Sequence, residues 1–223
     1  MEEYCTVTQK MPDGGWTLAD ILYVLERAAD AHAHALNIDF DRMYRDFSCL
    51  WMIVRSAVRL RRQPQGELRV TTWLRRPTAV ASTRDFSVAD ALGELGEATE
   101  LWVLVDAEKR RLTDMRRIEP LWALPAPQPE RETVPPRRLS LPPLSPAGSW
   151  TVAPEEIDKN GHLNNVAYVR HAQEFAPKGC LSVAAMYDRE CFAGECLTVE
   201  AADGFVRISR PDGSESFRCR FGE

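Results

Sequence analysis

The chain has 223 residues, of which 44% are hydrophobic and 27% charged, and its formal net charge is −5. This length allows one large domain or two small ones with a buried core, and the negative charge argues against general nucleic-acid binding. The sequence shows neither a charged, apolar leader nor an apolar run long enough to span a membrane, which predicts a cytoplasmic protein. The six cysteines follow no zinc or disulfide spacing, which predicts reduced thiols. We expect neither a metal nor a cofactor.

The first 120 residues begin with a strand pattern at 2–9 and a long amphipathic helix at 17–36. Within this helix, Leu18, Ile21, Leu22, Leu25 and Ala29 form one apolar stripe, and Thr17 with Asp20 resembles a capping arrangement. Residues rich in β-branched and aromatic side chains then predict strands at 54–61, 67–74, 81–90 and 99–106.

A proline-rich stretch follows, because nine of the fifteen prolines lie between Pro120 and Pro146. Proline removes backbone donors and favours extended chain, so residues 121–149 are predicted to be a semi-rigid linker. It separates a first domain at 1–120 from a second domain at 150–223.

The second part repeats the order of the first. A strand pattern at 149–157 is followed by a loop at 158–165 and a short helix at 166–175, and further strands are predicted at 180–192, 196–204, 205–211 and 214–221. A helix followed by antiparallel strands, twice over, indicates an α+β fold in which two sheets each wrap around a helix.

Polar residues concentrate in the loop of the second part. Asp158, Asn160 and His162 alternate, and in an extended segment such residues share one face. Each alone is more often structural, as a turn aspartate, a turn asparagine and a core histidine. Together they can orient and polarise one another. Asn164 and Asn165 then begin the helix as caps, so the backbone N–H groups of 163–166 are candidate oxyanion donors.

Four segments resemble the acyl-acyl-carrier-protein (acyl-ACP) thioesterases, the tandem hotdog enzymes of fatty acid synthesis. They are EEIDKNGHLNNVAYVRHAQEF (155–175), MYDREC (186–191), LWVLVDAEKRRLTDM (101–115) and ELRVTTWLRR (67–76). The resemblance implies two hotdog domains, each a curved antiparallel sheet around a central helix. It also implies hydrolysis of acyl-ACP to free fatty acid and carrier, with the acyl chain received by the first domain and the catalytic residues in the second.

The same resemblance assigns roles to individual residues. Asp158 corresponds to a catalytic acid that acts as nucleophile or base, and Glu174 matches a further family acid. Both Glu190 and Cys191 match proposed catalytic positions, but neighbours on a strand point to opposite faces. We predict Glu190 as the water-activating base, on a face shared with Met186 and Phe192, and Cys191 as structural. A Cys191 thiolate activated by His162 stays an open alternative.

Arginines cluster in the first two thirds of the chain. Such runs are usually solvated strand ends, but the resemblance favours a dock for an acidic carrier protein that bears phosphopantetheine. The candidates are Arg59, Arg61, Arg62, Arg110, Arg111, Arg116 and Arg117. An acyl-CoA thioesterase and a non-catalytic acyl-binding hotdog protein are the alternative functions, and both a monomer and a homodimer stay open.

Overall fold

The computed structural model describes residues 4–123 and 137–222. In chain order the strands are β1 (Cys5–Gln9), β2 (Cys49–Leu60), β3 (Leu68–Leu74), β4 (Ser82–Asp90), β5 (Gly93–Asp106), β6 (Ser145–Thr151), β7 (Ser182–Tyr187), β8 (Cys196–Ala202), β9 (Phe205–Ser209) and β10 (Glu215–Gly222). The α-helices are α1 (Leu18–Ala35), α2 (Phe40–Phe47), α3 (Glu119–Trp122) and α4 (Asn165–Ala172). Among these helices, none combines the length and the hydropathy needed to cross a membrane.

The strands form one antiparallel sheet in the order β1-β3-β4-β5-β2-β7-β10-β9-β8-β6. Strands from the first part of the chain occupy one half of the sheet and strands from the second part occupy the other. The halves meet where β2 pairs with β7, with Ala57 opposite Ala184. The predicted α+β fold with antiparallel strands is confirmed.

The long helix α1 forms where the apolar stripe predicted it. Its N-terminus is closed by a capping box, in which the Thr17 hydroxyl accepts from the Asp20 N–H and the Asp20 carboxylate accepts from the Thr17 N–H. All of the predicted stripe is buried, and Leu25 is completely so. This stripe faces the inner side of the sheet.

One hydrophobic core spans both halves. It contains Leu25 of α1, Val169 of α4, Val58 of β2 and Val183 of β7, each at most 1% exposed. The core and the sheet continue from one half into the other, so they mark no boundary between the two predicted domains. The limits of these domains stay a prediction.

The predicted linker at 121–149 is described only in part, because residues 124–136 lie outside the described ranges. Strand β6 begins at Ser145, which lies within the predicted linker. It pairs with β8 at the edge of the sheet. The register shifts between Pro146 and Gly148. An edge position tolerates proline, because the missing N–H is not needed by an outer neighbour.

Helix α2 is not predicted by the sequence pattern. It has eight residues, and Met43 is its buried residue. Met43 belongs to a second, smaller core with Leu104, Met115 and Leu121. A single buried side chain gives no helical periodicity to detect.

Strand β7 is shorter than the predicted strand at 180–192. It ends at Tyr187, because the Asp188 and Arg189 N–H groups both donate to the Ser216 carbonyl, at 2.8 and 3.2 Å, and the chain turns there. Glu190 and Cys191 therefore lie in the loop between β7 and β8. The prediction that they project from opposite faces of a strand is wrong.

Candidate active site

The loop that leads into α4 is folded around the Asp158 carboxylate. Asp158 Oδ1 accepts from the backbone N–H groups of Asn160 at 2.7 Å and His162 at 3.2 Å, and Oδ2 accepts from Asn160 Nδ2 at 3.1 Å. Gly161 follows at a φ of +82°, which glycine adopts without strain. The three predicted residues are thus brought together by a closed turn. The prediction that they share a face through extended alternation is wrong.

His162 reaches from this loop to Glu190. Its Nδ1 lies 3.3 Å from Glu190 Oε1, and both side chains are about one-fifth exposed, at 19% and 20%. The imidazole also packs edge-on against Phe192, with 5.3 Å between ring centroids. In the tautomer with the proton on Nδ1, the imidazole and the carboxylate lie at ion-pair distance. Across the two described ranges no group bonds to Nε2, which is left as an acceptor.

The second oxygen of Glu190 accepts from Arg110 Nη2. Arg110 lies just after β5 in the first part of the chain, so both halves of the fold contribute to this cluster. The apolar wall predicted for Glu190 does not form in full. The Met186 sulfur instead accepts from the Leu139 N–H, while Phe192 contacts His162.

Cys191 is completely buried. Burial raises the pKa of its thiol, and hydrogen bonds with Ser216 and Tyr168 only partly oppose that rise. The thiol therefore stays protonated at neutral pH, and its surroundings favour a packing role.

The start of α4 lies beside these residues, and most of its predicted oxyanion donors are already used. The Leu163 N–H donates to the Cys191 carbonyl at 2.8 Å, and the Asn164 N–H donates to the Glu156 carbonyl at 2.9 Å. Asn164 Oδ1 caps the helix by accepting from the Val166 N–H at 2.7 Å. For the Asn165 N–H no acceptor lies within the described residues, so it is the one of these four amides that can serve a substrate oxygen.

Glu174 is not part of the cluster. It is exposed, in the 3₁₀ turn Gln173–Phe175 that follows α4. It lies nine residues after the N-terminus of α4, which corresponds to roughly 13 Å along a helix.

The arginine candidates divide between two ends of the sheet. Arg110 and Arg111 lie at the end of the sheet that holds the His162–Glu190 cluster, with Arg116 and Arg117 in the turn that follows. Arg59, Arg61 and Arg62 lie at the far end of the twelve-residue β2, roughly 30 Å away by strand geometry. Arg61 pairs with Glu94, Arg62 with Asp90 and Arg116 with Asp114.

Sequence reasoning missed one residue of this site, Glu26 of α1. Its Oε2 accepts from Asn164 Nδ2 at 3.4 Å. Burial raises the pKa of Glu26 to about 7; the bond from Asn164 opposes this rise, and the charges of Asp158 and Asp30 add to it. The sequence does contain one indication of this role. Glu26 lies four residues after Leu22 and three before Ala29, so it is an acid at the edge of the buried stripe.

In the described part of the chain, His, Cys, Asp and Glu side chains form no group of three that could hold an ion.

A cleft of about 340 Å³ opens at the start of α1, lined in part by Trp16, Pro64 and Pro177, and includes none of the predicted catalytic residues.

Curated proteins similar to this chain include a plant thioesterase. The chain is 26% identical over 200 residues to the chloroplastic oleoyl-acyl carrier protein thioesterase of Coriandrum sativum, a match covering 78% of the chain and 54% of that protein. The chain thus spans about half the length of the curated relatives it matches.

Solved structures share the fold. An acyl-ACP thioesterase from Bacteroides thetaiotaomicron matches with a TM-score of 0.83 at 20% identity, covering 98% of this chain and 97% of that one. The 12:0-ACP thioesterase from Umbellularia californica matches with a TM-score of 0.79 at 21% identity, covering 100% and 97%. These likenesses confirm the predicted hotdog fold.

The family model described as the acyl-ACP thioesterase N-terminal domain matches residues 7–118, which is half of the chain. The chain belongs to the acyl-ACP thioesterase family.

Proposed function

We propose that the chain hydrolyses the thioester of acyl-ACP to a free fatty acid and the carrier thiol. The observation that carries the proposal is the pairing of His162 with Glu190 beside the N-terminus of α4. Thioester hydrolysis needs an activated water and donors for the developing oxyanion, and this cluster offers both. Membership of the acyl-ACP thioesterase family, and the oleoyl-acyl carrier protein thioesterase among the relatives, support the same substrate class.

His162 is proposed as the general base. Its free Nε2 takes a proton from water as the water oxygen attacks the thioester carbonyl carbon. Glu190 holds the tautomer with the proton on Nδ1 and stabilises the imidazolium that forms. Both Glu190 oxygens are engaged, by His162 and Arg110. This arrangement supports an orienting role for Glu190 better than the predicted role as base.

The tetrahedral intermediate carries its negative charge on the former carbonyl oxygen. The Asn165 N–H and the partial positive charge of the α4 N-terminus are proposed to stabilise it. As the C–S bond breaks, the imidazolium returns its proton to the leaving sulfur, so fatty acid and carrier thiol are released and His162 is neutral again.

Asp158 and Asn160 are proposed to organise the loop. Three N–H groups already donate to the Asp158 carboxylate, so this carboxylate is engaged by its own loop. The alternative, in which Asp158 attacks the carbonyl directly, therefore has less support from its hydrogen bonds. Replacing Asp158 should still impair catalysis, because the loop would lose the carboxylate that accepts its three hydrogen bonds.

The carrier is proposed to dock at the catalytic end of the sheet. Arg111 is exposed there, next to Arg110, and forms no ion pair within the described residues. An acidic carrier would be steered to such a residue. Arg59 is a matched control, because it is also exposed and makes no ion pair in the described ranges, yet lies at the far end of β2.

The test compares one acyl chain presented on the carrier protein and on CoA, with released thiol and free acid measured. We expect kcat/KM to be at least tenfold higher on the carrier and this preference to shrink as salt is added. Arg111→Ala should lower kcat/KM on the carrier about fivefold and leave CoA hydrolysis unchanged, while Arg59→Ala should change neither. Equal rates on both carriers would favour an acyl-CoA thioesterase, and no thiol release from either would favour a non-catalytic acyl-binding protein.

A further inference from the structure

Glu26 connects the helix of the first half to the catalytic end of the second half. Asn164 Nδ2 donates to Glu26 Oε2 at 3.4 Å, while Asn164 Oδ1 accepts from the Val166 N–H at 2.7 Å. One contact uses the nitrogen of the Asn164 side-chain amide and the other uses its oxygen. Glu26 therefore supports the amide orientation that the cap of α4 requires.

The titratable groups that interact with Glu26 are mainly acids. Asp30 lies on the same helix, Asp158 lies in the catalytic loop, and Glu100 of β5 and Tyr187 of β7 also interact with Glu26 electrostatically. Lys159 of the same loop as Asp158 lies 3.8 Å from Asp30. Burial and these carboxylates both favour the uncharged form of Glu26.

We propose that Glu26 is a positioning residue for thioester hydrolysis: its carboxyl group accepts from Asn164 and keeps Asn164, and with it the start of α4, in the orientation that serves the reaction, and its ionisation disables the site by placing a negative charge there. The inference rests on the proposed function. An ionised Glu26 would bring a negative charge close to the position where the oxyanion forms, opposing both the helix N-terminus and the Asn165 donor.

The sign of the pH effect follows from this. Burial raises the pKa of Glu26 to about 7. The uncharged form therefore dominates below neutral pH and is lost as the pH rises through that value. If only this form is active, kcat/KM should fall roughly 50-fold between pH 7 and pH 9. The reason is that the protonated fraction falls from about 50% when the pH equals the pKa to about 1% when the pH is two units higher.

The test compares pH profiles of kcat/KM on acyl-ACP for wild type, Glu26→Gln and Glu26→Ala. Glutamine keeps an acceptor for Asn164 and cannot ionise, so Glu26→Gln should match wild type within about twofold at pH 7 and lack the high-pH fall. Alanine removes the acceptor, so Glu26→Ala should be at least tenfold slower at every pH. Asp30→Asn changes a nearby charge without touching Asn164 and should retain the wild-type fall.

The inference is overturned if Glu26→Gln keeps the high-pH fall, if it loses more than tenfold at pH 7, or if Glu26→Ala is as active as Glu26→Gln. A second readout needs no turnover. The side-chain amide resonance of Asn164, identified by its loss in Asn164→Ala, should titrate with a midpoint near pH 7 in wild type and not in Glu26→Gln. An inactive wild type would contradict the proposed function alone, whereas a resonance that does not titrate would contradict the role of Glu26.

Discussion

Glu190 is contacted from two directions by positively charged or donating groups. Arg110 binds one carboxylate oxygen and His162 lies 3.3 Å from the other. With one oxygen bound by the guanidinium and the other facing the imidazole, the Glu190 carboxylate is placed to orient His162. We therefore expect the base chemistry at His162 and the orientation at Glu190.

Cys191 gives a prediction at the same scale. Its thiol is buried and stays protonated, so Cys191→Ser should keep kcat/KM within about threefold of wild type. Iodoacetamide should label Cys191 far more slowly than Cys196, which is exposed. Mass spectrometry of the labelled protein provides the comparison. A loss above 100-fold in Cys191→Ser, with circular dichroism unchanged, would instead indicate a sulfur nucleophile.

The sequence identified most of the residues in the cluster but not how they meet. Asp158, Asn160, His162 and Glu190 were predicted to converge, yet the convergence depends on hydrogen bonds to one carboxylate and on a loop after β7. Arg110 was assigned to carrier docking, and its contact with Glu190 joins residues 80 positions apart. Local patterns contain no information about such contacts.

At the scale of elements, the core helices α1 and α4 both begin with a side-chain cap. Thr17 caps α1 and Asn164 caps α4, but only Asn164 lies at the candidate active site. This pair separates the contribution of a cap to stability from its contribution to catalysis.

Thr17→Ala and Asn164→Ala should each lower the free energy of unfolding by about 1 kcal/mol. Asn164→Ala should also lower kcat/KM at least tenfold, because the α4 N-terminus loses the side chain that holds it in register with Glu26. Thr17→Ala should leave kcat/KM within twofold. Urea unfolding and steady-state kinetics on the two variants measure both effects. Equal kinetics would show that the start of α4 has no special role.

Elements were predicted well where the local pattern matches the tertiary environment. The apolar stripe and capping box located α1 to within about a residue at each end. The end of β7 was missed because it is set by the distant Ser216 carbonyl. The segment after Tyr187 keeps a strand-like composition although its N–H groups are used elsewhere.

At the scale of the whole molecule, the continuous sheet and the shared core indicate that the two halves unfold together. Leu25 of α1 packs in the same core as Val169 of α4. A cavity at Leu25 should therefore destabilise both halves.

Leu25→Ala should lower the free energy of unfolding by about 3 kcal/mol and speed amide hydrogen exchange in α1 and α4 by similar factors. Tyr23→Ala on the same helix is the control, because Tyr23 is 49% exposed. Faster exchange confined to α1 would mean that the halves behave as independent domains.

The most direct test of the account is kcat/KM for acyl-ACP hydrolysis by His162→Ala, with Glu190→Gln measured alongside and folding checked by circular dichroism. Removing the proposed base should lower kcat/KM about 1,000-fold or more, and removing the charge that orients it about 100-fold. A folded His162→Ala protein that retains more than a tenth of wild-type kcat/KM would contradict the central claim that the imidazole held by Glu190 activates water.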